Sequence, residues 1–128
     1  HEPQQLTNVV PTLLDALSEE PRADAEGQSF LEIAGGHGQR FDPETPLFWE
    51  HAGNCAVRVG RWKLVRRYPL PWELYDLESD PTELVDVVDR EPVIARDLLE
   101  KWSGWADRVG VRSFDRIVGL YEVRGLGS

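Results

Sequence analysis

The chain has 128 residues, 41% hydrophobic and 29% charged, a globular composition with room for a modest core and unlike that of a disordered polar chain. Its 23 acidic and 14 basic residues give a net charge of −9, which argues against a nucleic-acid partner, because phosphate backbones select basic faces. No apolar run approaches the ~20 residues that a membrane span requires, so no membrane partner is expected.

The chain lacks Met and begins with His1. It is therefore expected to be a processed product or a piece of a longer protein. His1–Gln5 is polar, and no uninterrupted apolar run follows it as a signal peptide would require. Cys55 is the single cysteine, so no internal disulfide is available.

Residues 7–17 are predicted to form a helix. Thr7 or Asn8 can cap it, and Pro11 falls in its first turn, where a missing N–H costs little. Val9, Val10, Leu13, Leu14 and Leu17 recur at helical spacing, so this face needs an apolar surface to pack against. Either the rest of the chain or a larger missing domain supplies it. Residues 18–45 are a connecting region punctuated by Pro and Gly, with one helical turn or short strand at Phe30–Ala34.

Residues 46–76 alternate as a β-meander. The expected strands are Leu47–Glu50, Cys55–Val59, Trp62–Arg67 and Trp72–Asp76. Gly60-Arg61 is a two-residue hairpin turn. Thr82 is placed to cap a short helical turn containing Leu84 and Val85. Pro92 opens the longest helix, which Gly110 ends. Ile94, Leu98, Trp102, Trp105 and Val109 form its apolar stripe. The expected fold class is α+β, with a small antiparallel four-stranded sheet packed with a C-terminal helix. Ile117–Val123 is read as an extra strand, and Gly125–Ser128 as a frayed end.

His1, His37 and His51 lie far apart, without metal-site spacing among themselves or with Cys55. Asp76, Glu78 and Asp80 alternate as in part of a calcium loop. They lack its glycine and distal glutamate, which favours a solvated acidic turn. Cys55 and His51 are close enough in sequence to suggest an activated thiolate, but a buried structural cysteine is the stronger reading. Gly35-Gly36-His37-Gly38 lacks the strand and helix of a phosphate cradle, so it reads as a surface loop. Arg61, Lys63 and Arg67 read as the outward face of a strand that ends at Arg66. Trp102 and Trp105 are assigned to the core. Trp49, Trp62 and Trp72 are assigned to cross-strand packing beneath the helix.

The block Pro46-Leu-Phe-Trp-Glu-His-Ala-Gly-Asn54, followed by Ala56-Val-Arg58 and Gly60-Arg-Trp-Lys-Leu-Val65, resembles the C-terminal region of bacterial arylsulfatases. Trp72-Glu-Leu-Tyr-Asp-Leu77 and Asp80-Pro-Thr-Glu-Leu84 continue the likeness. The helix near Val9–Asp15 is similar to the one that closes the large α/β domain of that family. The resemblance spans about residues 1–111.

That resemblance implies an alkaline-phosphatase-like hydrolase of sulfate esters, with calcium and a formylglycine made from a Cys or Ser in the parent enzyme. In such an enzyme the hydrated aldehyde attacks sulfur while the cation stabilises the anionic group. No catalytic or metal residue of this apparatus is expected in the present segment. Cys55 is followed by Ala-Val-Arg and does not match the modified position. The implied division is 1–45, a helix and loop from the end of the catalytic domain; 46–112, the sheet-plus-helix subdomain; and 113–128, a tail. The implied partners are the missing N-terminal catalytic domain and a sulfate ester. His51 and Asn54 either face the substrate pocket at its rim or stabilise the turn between two strands. Asn8 stands where Asp is usual and Cys55 where Arg is usual. A free-standing interaction module, or part of a phosphonate or phosphate monoester hydrolase, are the alternatives.

Overall fold

The computed structural model describes residues 5–20, 27–36 and 42–123. His1, His37, part of the glycine-rich run at Gly38 and the end Gly125–Ser128 lie outside them. The chain divides into two compact units, residues 1–42 and 43–128.

In the first unit, helix α1 spans Val9–Ala16 after a single tight turn at Leu6–Asn8. The segment expected to be a helical turn or short strand forms a four-residue helix α2, Leu31–Ala34. The expected cap is corrected: Asn8 makes no side-chain capping bond to α1. Its Oδ1 instead accepts the backbone N–H of Gln28 at 3.1 Å. Thr12 Oγ1 donates to the Asn8 carbonyl at 2.7 Å and accepts the N–H of Phe30 at 3.1 Å. The chain following α1 is thus bonded to the polar side of the helix. Asn8, Pro11 and Thr12 are buried, whereas Leu6, Val9, Val10, Leu13 and Leu17 are 40–87% exposed. The helix is inside out relative to an ordinary amphipathic surface helix.

The second unit begins with the expected meander. Strands β1 (Leu47–His51), β2 (Asn54–Val59), β3 (Trp62–Arg66) and β4 (Trp72–Asp76) pair in sequence order, all antiparallel. The register aligns Phe48, Val57, Leu64 and Leu74 in one row across the sheet. Glu50, Cys55, Arg66 and Trp72 form the adjacent row on the same face. Helix α3, Pro92–Val109, lies over this face with Pro92 in its first turn. Val57, Leu64, Leu74 and Leu98 form the buried centre, flanked by Phe48, Ile94 and Trp102. Each fully buried aliphatic side chain contributes roughly 1.5–3 kcal/mol of burial free energy. Gly110 ends α3 at φ +77°, with the N–H of Val111 bonded back to the Ala106 carbonyl.

The aromatic assignment is largely right and wrong at one position. Trp105 stacks on Phe48 at 5.1 Å, and Trp102 meets Trp72 edge-on at 5.4 Å. Trp62 also packs against the core. Trp49 does not lie beneath the helix: it alternates with Phe48, so it falls on the opposite face and is 42% exposed.

Two other expectations fail. No helical turn forms at Thr82–Val85. The Asp80 carboxylate instead accepts the N–H groups of Leu84 and Val85 at 2.7 and 2.8 Å, giving those donors a non-helical partner. Residues 117–123 are not a strand. They belong to helix α4, Phe114–Val123. Phe114, Ile117 and Val118 have the i, i+3, i+4 spacing of a helical face, and Asp115 sits favourably in the first turn.

The far edge of the sheet is closed by the loop after β4. Leu74 donates its N–H to Asp86 Oδ1 at 2.9 Å, and its carbonyl accepts the N–H of Val87 at 2.9 Å. This satisfies edge groups that would otherwise invite another strand.

Candidate functional site

The candidate turn joins β1 to β2 through Ala52 and Gly53. Their φ angles, +51° and +83°, fit the two-residue hairpin class in which both central residues are left-handed. His51 and Asn54 are direct cross-strand partners at its base, so the structure brings the two candidate rim residues together. His51 is exposed. Asn54 uses both ends of its amide: Nδ2 donates to the His51 carbonyl at 3.0 Å, and Oδ1 accepts the Tyr68 N–H at 3.1 Å. Glu50 Oε1 accepts the Gly53 N–H at 2.9 Å. These bonds give Asn54 a structural task in the turn, and the His51 ring is exposed.

Beside this turn lies a cleft of about 500 Å³, lined in part by Glu50, Cys55, Arg66, Tyr68, Trp102 and Asp107. Cys55 is 3% exposed, and its thiol donates to the Gly53 carbonyl at 3.4 Å. Burial pushes its pKa up, with the Arg66 guanidinium partly opposing that rise. The protonated thiol is therefore favoured, which disfavours nucleophilic chemistry. His51 does not activate it, since successive strand positions place Glu50 and Cys55 on the helix-covered face and His51 on the other. The considered Cys–His pair is not assembled.

Arg66 does more than end a strand. Its guanidinium lies 5.1 Å from the Trp72 ring centroid, and its Nη2 is 3.5 Å from Cys55 Sγ. Its Nε is buried without a hydrogen-bond partner among the described residues. The other members of the basic cluster pair with carboxylates: Lys63 with Glu83 at 2.6 Å, Arg67 with Glu73 at 3.4 Å, and Arg61 with Asp76 and Glu78.

The acidic run is committed to local structure. Asp76 receives Arg61 Nε at 2.6 Å, Ser79 Oγ at 2.8 Å and the Glu78 N–H at 3.2 Å. The bonds from Arg61 hold its carboxyl well below the usual range. Asp80 is likewise lowered, first by the Val85 N–H and then by that of Leu84. Among the described residues, no three His, Cys, Asp or Glu side chains come together as a metal-ligand set.

Tyr68 and Phe114 were not singled out in the sequence. Tyr68 meets Phe114 edge-on at 5.2 Å, and its hydroxyl donates to Asp115. That bond raises the Tyr68 pKa. The contact joins residues 46 positions apart, so no local sequence pattern marks it.

No protein-family model matches the chain. It is 32% identical over 102 residues to the choline-sulfatase of Rhizobium meliloti, a match covering 71% of this chain and 19% of that protein. It is also 32% identical over 80 residues to an uncharacterized sulfatase of Schizosaccharomyces pombe, covering 59% of this chain and 14% of that protein. The chain thus spans less than a fifth of the length of these relatives.

Among solved structures, Ps i-CgsB bound to a neocarrahexaose superposes with a TM-score of 0.68 at 18% identity, covering 82% of this chain and 24% of that one. A putative sulfatase of Bacteroides thetaiotaomicron gives 0.58 at 24% identity, covering 79% and 24%. The phosphonate monoester hydrolase of Agrobacterium radiobacter gives 0.55 at 26% identity, covering 73% and 23%. The first two establish a shared fold. The sequence relatives and the Pro46–Leu84 block identify this chain as sulfatase-like, consistent with a C-terminal region of that family.

Proposed function

We propose that the chain is the C-terminal subdomain of a sulfate-ester hydrolase, where it completes the fold and forms one side of the pocket entrance through the His51–Asn54 turn. The observation that carries this reading is the inverted helix α1. It turns Asn8 and Thr12 inward and leaves Leu6, Val9, Val10, Leu13 and Leu17 exposed. An apolar stripe of this kind requires a covering surface. The missing N-terminal catalytic domain of the parent enzyme supplies that surface.

Calcium and formylglycine belong to the remainder of the parent enzyme in this reading. The residues here do not fit either group. The Cys55 thiol is buried with its pKa raised, and its sequence context is Cys-Ala-Val-Arg. The oxygens of Asp76 already accept hydrogen bonds from Arg61 and Ser79, and those of Asp80 from Leu84 and Val85. The segment contributes binding surface to a reaction carried out elsewhere in the molecule.

The test compares full-length protein with the 128-residue chain on an aryl sulfate. The full-length protein turns it over, and the isolated chain does not. Leu13→Glu with Leu17→Glu in the full-length protein lowers the soluble yield by burying two charges in the docking face. Turnover by the isolated chain would overturn the assignment. A second reading, phosphonate monoester hydrolysis, draws on the likeness to the Agrobacterium enzyme. A higher kcat/KM on a phosphonate monoester than on the aryl sulfate would select it.

A further inference from the structure

The sulfatase-like block ends before α4, yet α4 reaches back to the turn that carries His51. The β-carbon of Phe114 lies 2.9 Å from the place a side chain on Gly53 would occupy. The Phe114 ring meets Tyr68 edge-on at 5.2 Å, and Tyr68 also donates its hydroxyl to Asp115. The Tyr68 backbone N–H is held by Asn54 Oδ1 at 3.1 Å, and Asn54 Nδ2 holds the His51 carbonyl at 3.0 Å. An unbroken series of contacts therefore runs from α4 through Tyr68 and Asn54 to His51.

A two-residue hairpin turn at a sheet edge is an open structure that frays readily. This turn is fixed from two sides: Glu50 accepts the Gly53 N–H from within the hairpin, and Phe114 presses on Gly53 from outside. Ala52 at φ +51° adds a reason for an external hold, because a left-handed alanine is intrinsically unfavourable. Phe114 is only partly exposed although it opens a terminal helix.

We propose that Phe114 and Tyr68 are positioning residues for the pocket rim, and that α4 acts as a clasp fixing the His51–Asn54 turn toward substrate. This rests on the reading of that turn as the rim. The clasp lies outside the Pro46–Leu84 block. Phe114 and Tyr68 act through the turn and touch no reacting atom.

The test uses Phe114→Ala and Phe114→Leu, with Tyr68→Phe as a milder variant that keeps the ring and removes the Asp115 bond. In the 128-residue chain, amide exchange at Gly53 and Asn54 is followed by NMR, with Val57 and Leu64 as core controls. Phe114→Ala is expected to speed exchange at the turn roughly 10-fold with the core unchanged, and Phe114→Leu to restore part of the protection. In the full-length protein, Phe114→Ala is expected to raise KM for an aryl sulfate roughly 5-fold with kcat within about 2-fold, because a binding contact is displaced and the chemistry is not. Unchanged exchange at Gly53 and Asn54 in both Phe114→Ala and Tyr68→Phe overturns the clasp. A KM that responds to His51→Ala but not to Phe114→Ala overturns the positioning role alone. A KM that ignores His51→Ala overturns the rim reading, and the positioning role with it.

Discussion

Phe114 fills the space that any side chain on Gly53 would need. A Cβ built on Gly53 lies 2.9 Å from Phe114 Cβ and 3.1 Å from Tyr68 Cβ, and the residue sits at φ +83°. Gly53→Ala therefore meets both a steric and a conformational penalty. It is expected to lower stability by about 2–4 kcal/mol, read from the urea midpoint. The two penalties separate in a double variant. Gly53→Ala with Phe114→Gly removes both Phe114 contacts, recovers that share of the steric penalty and retains the conformational one, so the effects of the two changes are non-additive. Simple additivity would show that Phe114 does not press on the turn.

Ala52 occupies a left-handed position at φ +51° in the same turn. Asparagine tolerates that conformation far better, and Asn-Gly is the favoured pair for such hairpins. Ala52→Asn is expected to stabilise the chain by about 1 kcal/mol, moving the denaturation midpoint upward without altering its slope. A midpoint at or below that of the parent would mean that the turn is not strained at Ala52.

Much of this fold was legible because two periods are strong in the sequence. Phe48, Val57, Leu64 and Leu74 keep strand parity, and Gly60-Arg61 fixes one hairpin, so the row they form followed directly. The α3 stripe was equally clear between Pro92 and Gly110. Where several local partners compete, the reading failed. Asn8 is a good cap by type, but its oxygen goes to Gln28, 20 residues away. Thr82 could cap a turn, but Asp80 takes the N–H groups first. Ile117–Val123 is apolar enough for either structure, and only its 114–117–118 spacing favours a helix. For the candidate site, His51 and Asn54 were read as part of the turn between the first two strands, and the structure makes them the cross-strand pair that flanks it. Tyr68 and Phe114 were not, because their contact is purely tertiary.

Asp86 seals the outer edge of the sheet by accepting the N–H of Leu74, a residue with 0% exposure. It also accepts the Val88 N–H at 2.9 Å, which holds the loop against β4. Asp86→Ala removes this acceptor and leaves the Leu74 N–H without it. The expected cost is about 1–3 kcal/mol. Asp86→Asn keeps a carbonyl oxygen in the same place and should recover most of that loss. Amide exchange at Leu74 provides the local reading, rising in the alanine variant ahead of the Val57 amide. Equal acceleration at both positions would indicate general unfolding rather than an opened edge.

Asp80 gives the fold a specific acid sensitivity. Its carboxylate accepts N–H groups from Val85 and Leu84, and these bonds lower its pKa below the ordinary 3.8. Above that ordinary value the carboxylate is ionised whether the chain is folded or unfolded, so its stabilising contribution is fully present. As pH falls below it, the unfolded chain takes up a proton first. The contribution then declines through the interval down to the lower folded-state value. Other carboxylates titrate over the same range, so the useful quantity is a difference. The Tm of the parent minus that of Asp80→Asn is expected to be largest near neutral pH and to narrow below about pH 4. A difference that stays constant down to pH 2.5 would mean that the negative charge on Asp80 contributes nothing, and that its hydrogen bonds work equally well through a neutral oxygen.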